Sequence, residues 1–329
     1  MTGDGDRALA GRRVLVLGAT GFVGRWTVRV LERWGAEVVP HARDAERARS
    51  VLAGTAAGER IVRADLAEAD RIEEVVRRVR PATVFNLVGY GVDRSERDER
   101  TAYRINDALV GEICRAASRH GAAEAEGVAV VHVGSALEYG EAAGDLSEDT
   151  EPRPTTLYGR SKLAGTRRLR RFCERRGLAG VTARLFTVYG PGEHEGRLLP
   201  TLLSAARTGE TVELTEGRQE RDFTYVEDVA AGLARLARSP AADGEIVNLA
   251  TGRLTSVRDF VLEAADVLSL SGDQLRFGAR PTREEEMAHD PVAVDRLEEL
   301  TGWRPATSVR AGIRRTRDRI RSGGNQSGP

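Results

Sequence analysis

The apolar residues of this chain fall into short β-branched runs separated by helix-length amphipathic stretches. RVLVL (13–17) is apolar almost throughout, the pattern of a strand buried on both faces. The stretch after it sets Val23, Thr27, Val30, Leu31 and Trp34 at helical spacing. EVVP (37–40), RIVRADL (60–66), TVFNLVG (83–89), VAVVHVG (128–134) and VTARLF (181–186) follow as further strands. Helices are expected between most of them, around 69–80, 101–120 and 155–176. Strands alternating with helices, without hairpin signals, predict an α/β fold with a doubly wound parallel sheet and helices on both faces. After about residue 187 the alternation becomes irregular and rich in turn residues, which suggests a smaller mixed α/β lobe over the carboxyl ends of the strands.

Composition narrows the function. With 329 residues and 40% hydrophobic side chains, the chain can bury one sizeable core or two lobes sharing a cleft. Its 50 basic and 50 acidic residues cancel, so no broad basic surface invites nucleic acid. No apolar run approaches membrane-spanning length and the polar opening has no apolar signal core, so neither a membrane nor secretion is expected. Cys114 and Cys173 lack metal spacing and cannot build a disulfide framework, which fits a reducing cytoplasm. His41, His120, His132, His194 and His289 likewise lack the spacing of metal ligands, and no metal is expected. Lys162 is the only lysine among the 50 basic residues. Where arginine serves nearly every need for positive charge, a retained lysine points to a role that a compact, rotatable ammonium fills and a planar guanidinium does not.

The first strand runs straight into Gly18-Ala19-Thr20-Gly21-Phe22-Val23-Gly24 and then a helix. Glycines at 18, 21 and 24 permit a tight turn, close backbone approach to a pyrophosphate and close helix packing, while the helix N-terminus offers N–H donors. This is the dinucleotide loop of a Rossmann-like domain, with Gly18, Thr20, Gly21, Phe22, Val23 and Gly24 as candidate cofactor contacts. At the end of the second strand Ala42 takes the position where an NAD enzyme usually places an acid for the ribose hydroxyls, and Arg43 follows. An arginine there favours a 2′-phosphate, so NADP(H) is favoured over NAD(H). Asp44 is the alternative ribose acid if the strand ends two residues later. Asp65 and Leu66, ending the third strand, are candidates to cradle the adenine, with a helix N-cap as the plain reading of Asp65. Leu87, after the fourth strand, is a further cofactor candidate.

The chemistry concentrates in two later segments. Tyr158-Gly159-Arg160-Ser161-Lys162 opens a helix, and the i, i+4 spacing puts Tyr158 and Lys162 on one face. A neighbouring ammonium stabilises phenolate, which suits the tyrosine to exchange a proton with a sugar hydroxyl or carbonyl. Upstream, a β-branched strand ends at Ser135, whose hydroxyl is placed to bond the same oxygen. The arginines within 167–176 read as a solvated helix face.

On GATGFVG (18–24), GSALEYG (134–140), YGRSK (158–162), RLFTVYGPG (184–192), RDFTYVEDV (221–229) and NLATG (248–252), the chain resembles the extended short-chain dehydrogenase/reductases. These are the nucleotide-sugar epimerases, dehydratases and ketoreductases, and the likeness spans roughly residues 12–310. The resemblance implies an NAD(P)-binding domain over 12–186 and a mainly substrate-binding lobe over 187–320, with some segments returning to the first domain and tails at 1–11 and 321–329. It implies that Tyr158 is the acid/base, that Lys162 binds the nicotinamide ribose and tunes the tyrosine, and that Ser135 holds the reacting oxygen. Asn106 matches a structural asparagine of the family, although by pattern alone it reads as a surface helix residue. Arg221 and Arg283 match positions that contact a substrate diphosphate, and a homodimer through the helices around 101–120 and 155–176 is expected.

Departures from the pattern bear on the reaction. Family dehydratases commonly carry an acidic pair after the catalytic serine or threonine. Ala136 and Leu137 stand there instead, and neither can move a proton. Thr187 replaces a usual asparagine near the nucleotide, and Gly89-Tyr90-Gly91 replaces an alanine-rich turn, which makes Tyr90 a candidate to line the sugar pocket. The resulting expectation is NADPH-dependent reduction of a 4-keto-(deoxy)sugar carried on a nucleotide diphosphate. A redox-neutral C4 epimerase is the alternative, and a non-catalytic dinucleotide sensor is a third.

Overall fold

The computed structural model describes residues 9–68, 70–92, 95–122, 127–142, 144–239, 243–281 and 289–324. The first part of the chain alternates β1 (Arg13–Leu17), α1 (Phe22–Arg33), β2 (Glu37–Ala42), α2 (Ala45–Val51), β3 (Val62–Arg63), α3 (Arg71–Val79) and β4 (Thr83–Asn86). It continues through α4 (Glu99–Tyr103), α5 (Leu109–His120), β5 (Val130–Ser135), α6 (Leu157–Arg176) and β6 (Gly180–Leu185). Then come β7 (Thr187–Tyr189), α7 (Leu198–Thr208), β8 (Val212–Glu213), β9 (Glu220–Tyr225), α8 (Val226–Leu236) and β10 (Asp243–Leu249). The chain closes with β11 (Leu254–Ser256), α9 (Val257–Leu268), β12 (Leu275–Arg276), α10 (Asp295–Thr301) and α11 (Val309–Gly324).

Seven strands in the order β10-β6-β5-β4-β1-β2-β3 form the central sheet, and every neighbouring pair in it is parallel. The period-2 alternation of a strand explains how both faces are covered. On β1, Val14 and Val16 join Trp26 and Leu31 of α1 and Val229 and Leu233 of α8 in one core. Leu15 and Leu17 point the other way, into a second core with Val75 and Val76 of α3, Ile113 of α5 and Leu169 of α6. The doubly wound sheet is therefore as expected. The chain order reverses beside β1, where β4 lies on one side and β2 on the other, which opens the ligand crevice at the carboxyl ends of these strands.

Segments after residue 187 divide between two places. β10 completes the central sheet next to β6. β7, β9 and β11 form a separate three-stranded sheet, and β8 with β12 a two-stranded one. A third core of Tyr189, Phe223, Tyr225, Phe260 and Ile313 lies under them, with Phe223 and Phe260 stacked at 4.3 Å between centroids. Trp26 Nε1 donates to the Pro191 carbonyl at 2.8 Å and ties α1 to the loop after β7. Asp228 accepts from the backbone N–H groups of Ala306 and Thr307 at 3.1 and 2.8 Å, anchoring the approach to α11. Among the described residues no helix is long and apolar enough to cross a membrane.

Two elements differ from the sequence expectation. The seven-residue run 60–66 yields only a two-residue strand, Val62–Arg63, because β3 is the sheet edge and Arg63 and Asp65 face solvent. The helix expected over 101–120 is broken by a π-helical turn at Arg104–Ala108. Leu31→Ala, in the first core, is expected to destabilise the protein by about 2–5 kcal/mol in denaturant unfolding. Leu262→Ala, at 47% exposure, should cost no more than about 0.5 kcal/mol, and equal losses would refute this placement of the core.

Candidate active site

The loop between β1 and α1 is built for backbone approach. Gly18 has φ +77°, and a Cβ on Gly24 would lie 2.1 Å from the Gly18 carbonyl oxygen, so α1 begins in contact with the turn. Gly21 is the N-cap and offers no side chain, leaving the first N–H groups of α1, among them those of Phe22 and Val23, without an intrahelical acceptor. That is a cradle for a pyrophosphate, and it fits a dinucleotide coenzyme. The Thr20 and Gly21 carbonyls accept from Arg25, which braces the loop from α1. Leu87, just beyond β4, lines the other wall: its carbonyl carbon would be 3.0 Å from a Cβ on Gly18.

β2 ends at Ala42, with Arg43 exposed immediately after it. Asp44 is the N-cap of α2, its carboxylate accepting from the N–H groups of Glu46 and Arg47, each at 3.0 Å. Burial, and then the Arg47 charge, hold the Arg25 guanidinium below its ordinary pKa. Arg25 and Arg47 thus face each other near the glycine loop, and Arg43 is exposed at the end of β2. Asp65 is not a helix N-cap: it turns its carboxylate to the Ala67 N–H at 3.0 Å, while α3 is capped at Asp70. The Leu66 side chain is buried in the second core and its carbonyl accepts from Arg104.

Ser135 ends β5, and Tyr158 and Lys162 lie in the first turns of α6. Two contacts fix that helix. A Cβ on Gly159 would be 2.2 Å from the Leu137 carbonyl oxygen, so α6 starts pressed onto the turn after Ser135. Asn106 is fully buried in the π-helical turn, bonding the Tyr90 N–H and carbonyl at 3.0 and 2.7 Å and the Ser161 hydroxyl at 2.9 Å. The surface reading of Asn106 is thereby corrected: it joins the 89–91 turn to α6. Gly91 in that turn lies against the Tyr158 ring.

Ser135 Oγ accepts from the Leu137 N–H at 3.2 Å, and its hydroxyl is near enough to the Tyr158 phenol to favour the phenolate. Burial pushes the phenol up to about 12; the Glu138 and Glu96 charges add to the rise, and the Ser135 hydroxyl and Arg197 oppose it. Lys162 is 2% exposed, and burial pulls its ammonium down to about 8 against the upward pull of Glu138. His132, beside it on β5, is held well below its ordinary pKa by burial and then by the Lys162 charge, and Asn86 bonds its Nδ1 at 3.0 Å. The site therefore holds a hydroxyl, a protonated phenol and an ammonium at the carboxyl end of the sheet. Such a set can orient a carbonyl oxygen and deliver a proton to it.

The remaining candidates fall around this cluster. Ser135 and Leu185 are register partners, so Thr187 follows two residues beyond the strand end that flanks the serine. Tyr90 sits in the turn against Tyr158, with its hydroxyl accepting from the Asp98 N–H at 3.3 Å. Arg221 is on β9, half-buried, opposite Thr255 of β11. Arg283 lies outside the described residues. Sequence reasoning missed Arg25 and Glu138. Arg25 could have been found from its place directly after Gly24; Ser135 and Glu138 have the spacing of a capping box, but the ion pair with Arg184, 46 residues away, leaves no sequence signal.

A parallel sheet, a glycine cradle at its switch point and a serine–tyrosine–lysine cluster define a dinucleotide-dependent enzyme of the Rossmann type. The profile of the NAD dependent epimerase/dehydratase family matches residues 14–250, and the chain belongs to that family of NAD(P)-dependent nucleotide-sugar oxidoreductases and epimerases. It is similar to the dTDP-6-deoxy-L-talose 4-dehydrogenase (NAD(P)(+)) of Kitasatospora kifunensis, 33% identical over 92% of this chain and 93% of that one. It is also similar to the UDP-glucose 4-epimerase of Mycolicibacterium smegmatis, 28% identical over 92% and 97%. Among solved structures, MoeE5 in complex with UDP-glucuronic acid and NAD matches at TM-score 0.79 and 30% identity, covering 94% of this chain and 99% of that one. Gly24→Ala is expected to weaken NADPH binding at least about tenfold in a fluorescence titration, since the new methyl must displace the loop. Wild-type affinity in that variant would remove the loop from the coenzyme site.

Proposed function

We propose that this protein reduces the 4-keto group of a nucleotide-diphosphate-linked deoxysugar with NADPH. The observation that carries this reading is the end of β2, where Ala42 and Arg43 stand and Asp44 is committed to capping α2. An acid there would accept the ribose hydroxyls of NAD(H); an exposed guanidinium directly after the strand suits a 2′-phosphate. The 33% likeness to a 4-dehydrogenase whose name gives both NAD and NADP supports the same chemistry at C4.

When bound, the coenzyme supplies hydride. The protein's own part is to hold and protonate the sugar. Ser135 donates a hydrogen bond to the keto oxygen, and Tyr158 delivers its phenolic proton to that oxygen. Lys162 keeps a positive charge one helical turn away, which favours the phenolate that remains. Elimination of water is disfavoured, because positions 136 and 137 carry alanine and leucine. The nearest acid after them, Glu138, is fully buried and engaged by Arg184. Tyr90, Thr187, Arg221 and Arg283 are the residues we assign to the sugar and its diphosphate.

The direct test is NADPH consumption with a dTDP-linked 4-keto-6-deoxyhexose. Stoichiometric oxidation of NADPH is expected, and isomerisation of a UDP-hexose with no net coenzyme consumption would make the protein an epimerase instead. Tyr158→Phe should lower kcat by about a hundredfold or more. Arg43→Ala should raise the KM for NADPH roughly tenfold and leave that for NADH nearly unchanged; a stronger effect on NADH would reverse the coenzyme assignment. Because Lys162 is charged only below about 8, the rate should fall as pH rises through that value. Lys162→Arg, though slower, should lose that alkaline limb.

A further inference from the structure

Glu138 touches neither the proposed coenzyme site nor the sugar, yet three parts of the active-site scaffold meet on its carboxylate. Oε1 accepts from the Ser135 N–H at 2.9 Å and from the Thr166 hydroxyl at 3.1 Å, and Oε2 accepts from Arg184 Nε at 3.0 Å. Ser135 ends β5, Thr166 lies on α6 one turn after Lys162, and Arg184 belongs to β6. The ion pair is sealed from water, its side chains 1% and 0% exposed. Arg184 in turn stacks over the Tyr139 ring at 4.3 Å, and the Tyr139 hydroxyl donates to Asn248 of β10 at 2.8 Å. Space is reserved for the carboxylate: a Cβ on Gly134 would come within 2.7 Å of Oε1.

A buried ion pair is a poor way to stabilise a fold, since apolar residues of the same volume often do as well or better. The arrangement needs another explanation, and its location provides one. We propose that Glu138 is a positioning residue of the active site: its carboxylate ties the Ser135 end of β5 to α6 and holds a fixed negative charge beside Lys162 and Tyr158. The inference rests on the reading of Tyr158 as proton donor. A negative charge favours the protonated form of both groups, so it keeps the ammonium charged and the phenol loaded with its proton. The other charged or titratable groups that face the pair are Glu96 from the loop after β4, Arg197 at the start of α7 and His132 from β5. Of these, Glu138 is the group whose charge raises Lys162.

The chain's single lysine makes the test direct. In full-length protein grown with carbon-13-labelled lysine, one side-chain signal reports the titration of Lys162 alone. Glu138→Gln keeps the size of the side chain and an acceptor for the Ser135 N–H while removing the charge. The Lys162 midpoint is expected to fall by on the order of one pH unit. An unchanged midpoint with a lowered Tm would mean that Glu138 only holds the fold together, and would overturn the proposal. Should the uncompensated Arg184 unfold that variant, Glu138→Gln combined with Arg184→Met removes both charges, and a smaller fall of the midpoint is required of it. The titration involves no sugar, so a protein that shows the shift but reduces no keto-sugar would refute the proposed reaction and leave this inference standing.

Discussion

An ammonium removed from water is costly, and the carboxyl end of the sheet is arranged around that cost at Lys162. The lysine is enclosed by β5, α6 and the turn after Ser135, with a neutral histidine on one side and a buried carboxylate on another. Its enclosure depends on close packing of α6, which the missing side chain of Gly159 permits. The same packing places Tyr158 against Gly91 and near Ser135. One helix docking therefore fixes the hydroxyl, the phenol and the ammonium together.

Docking of that helix links the site to the rest of the fold. β5 and β6 run side by side over six register pairs, from Val130–Gly180 to Ser135–Leu185, so the serine and the start of the second lobe leave the sheet together. β10, drawn from late in the chain, flanks β6 and carries Asn248, which supports Tyr139 and through it Arg184. At the switch point beside β1 the glycine turn meets α1, and Trp26 couples α1 to the loop beyond β7. The glycine turn and the second lobe are thus tied through the sheet and across the crevice.

Much of this was legible in the sequence because it follows from local rules. β1 spans 13–17 as its apolar run implies, and the glycine turn and the Tyr158–Lys162 spacing can be read without partners. Features set by distant contacts were not legible. Asn106 looks like a surface polar residue until the 89–91 turn and Ser161 arrive to satisfy its amide. Glu138 is one acid among 50 acidic residues until Arg184 crosses from the next strand. RDFTYVEDV reads as a substrate motif, yet Asp222 serves structure: it is 1% exposed and bonds the Thr251 N–H and hydroxyl, each at 2.9 Å. The third strand was read too long because β-branched composition does not reveal which strand lies at a sheet edge.

The central claim is that Tyr158, with Lys162 charged beside it, protonates a sugar oxygen while the carbon bearing it is reduced. Transfer of label from NADPH deuterated at C4 of the nicotinamide, followed by mass and NMR analysis of the nucleotide-sugar product, examines it most directly. One deuterium at C4 of the sugar product, formed about a hundredfold or more slowly by Tyr158→Phe than by the wild-type protein, is the expected result. Product formed without label, or labelled product formed as fast by the phenylalanine variant, would contradict it.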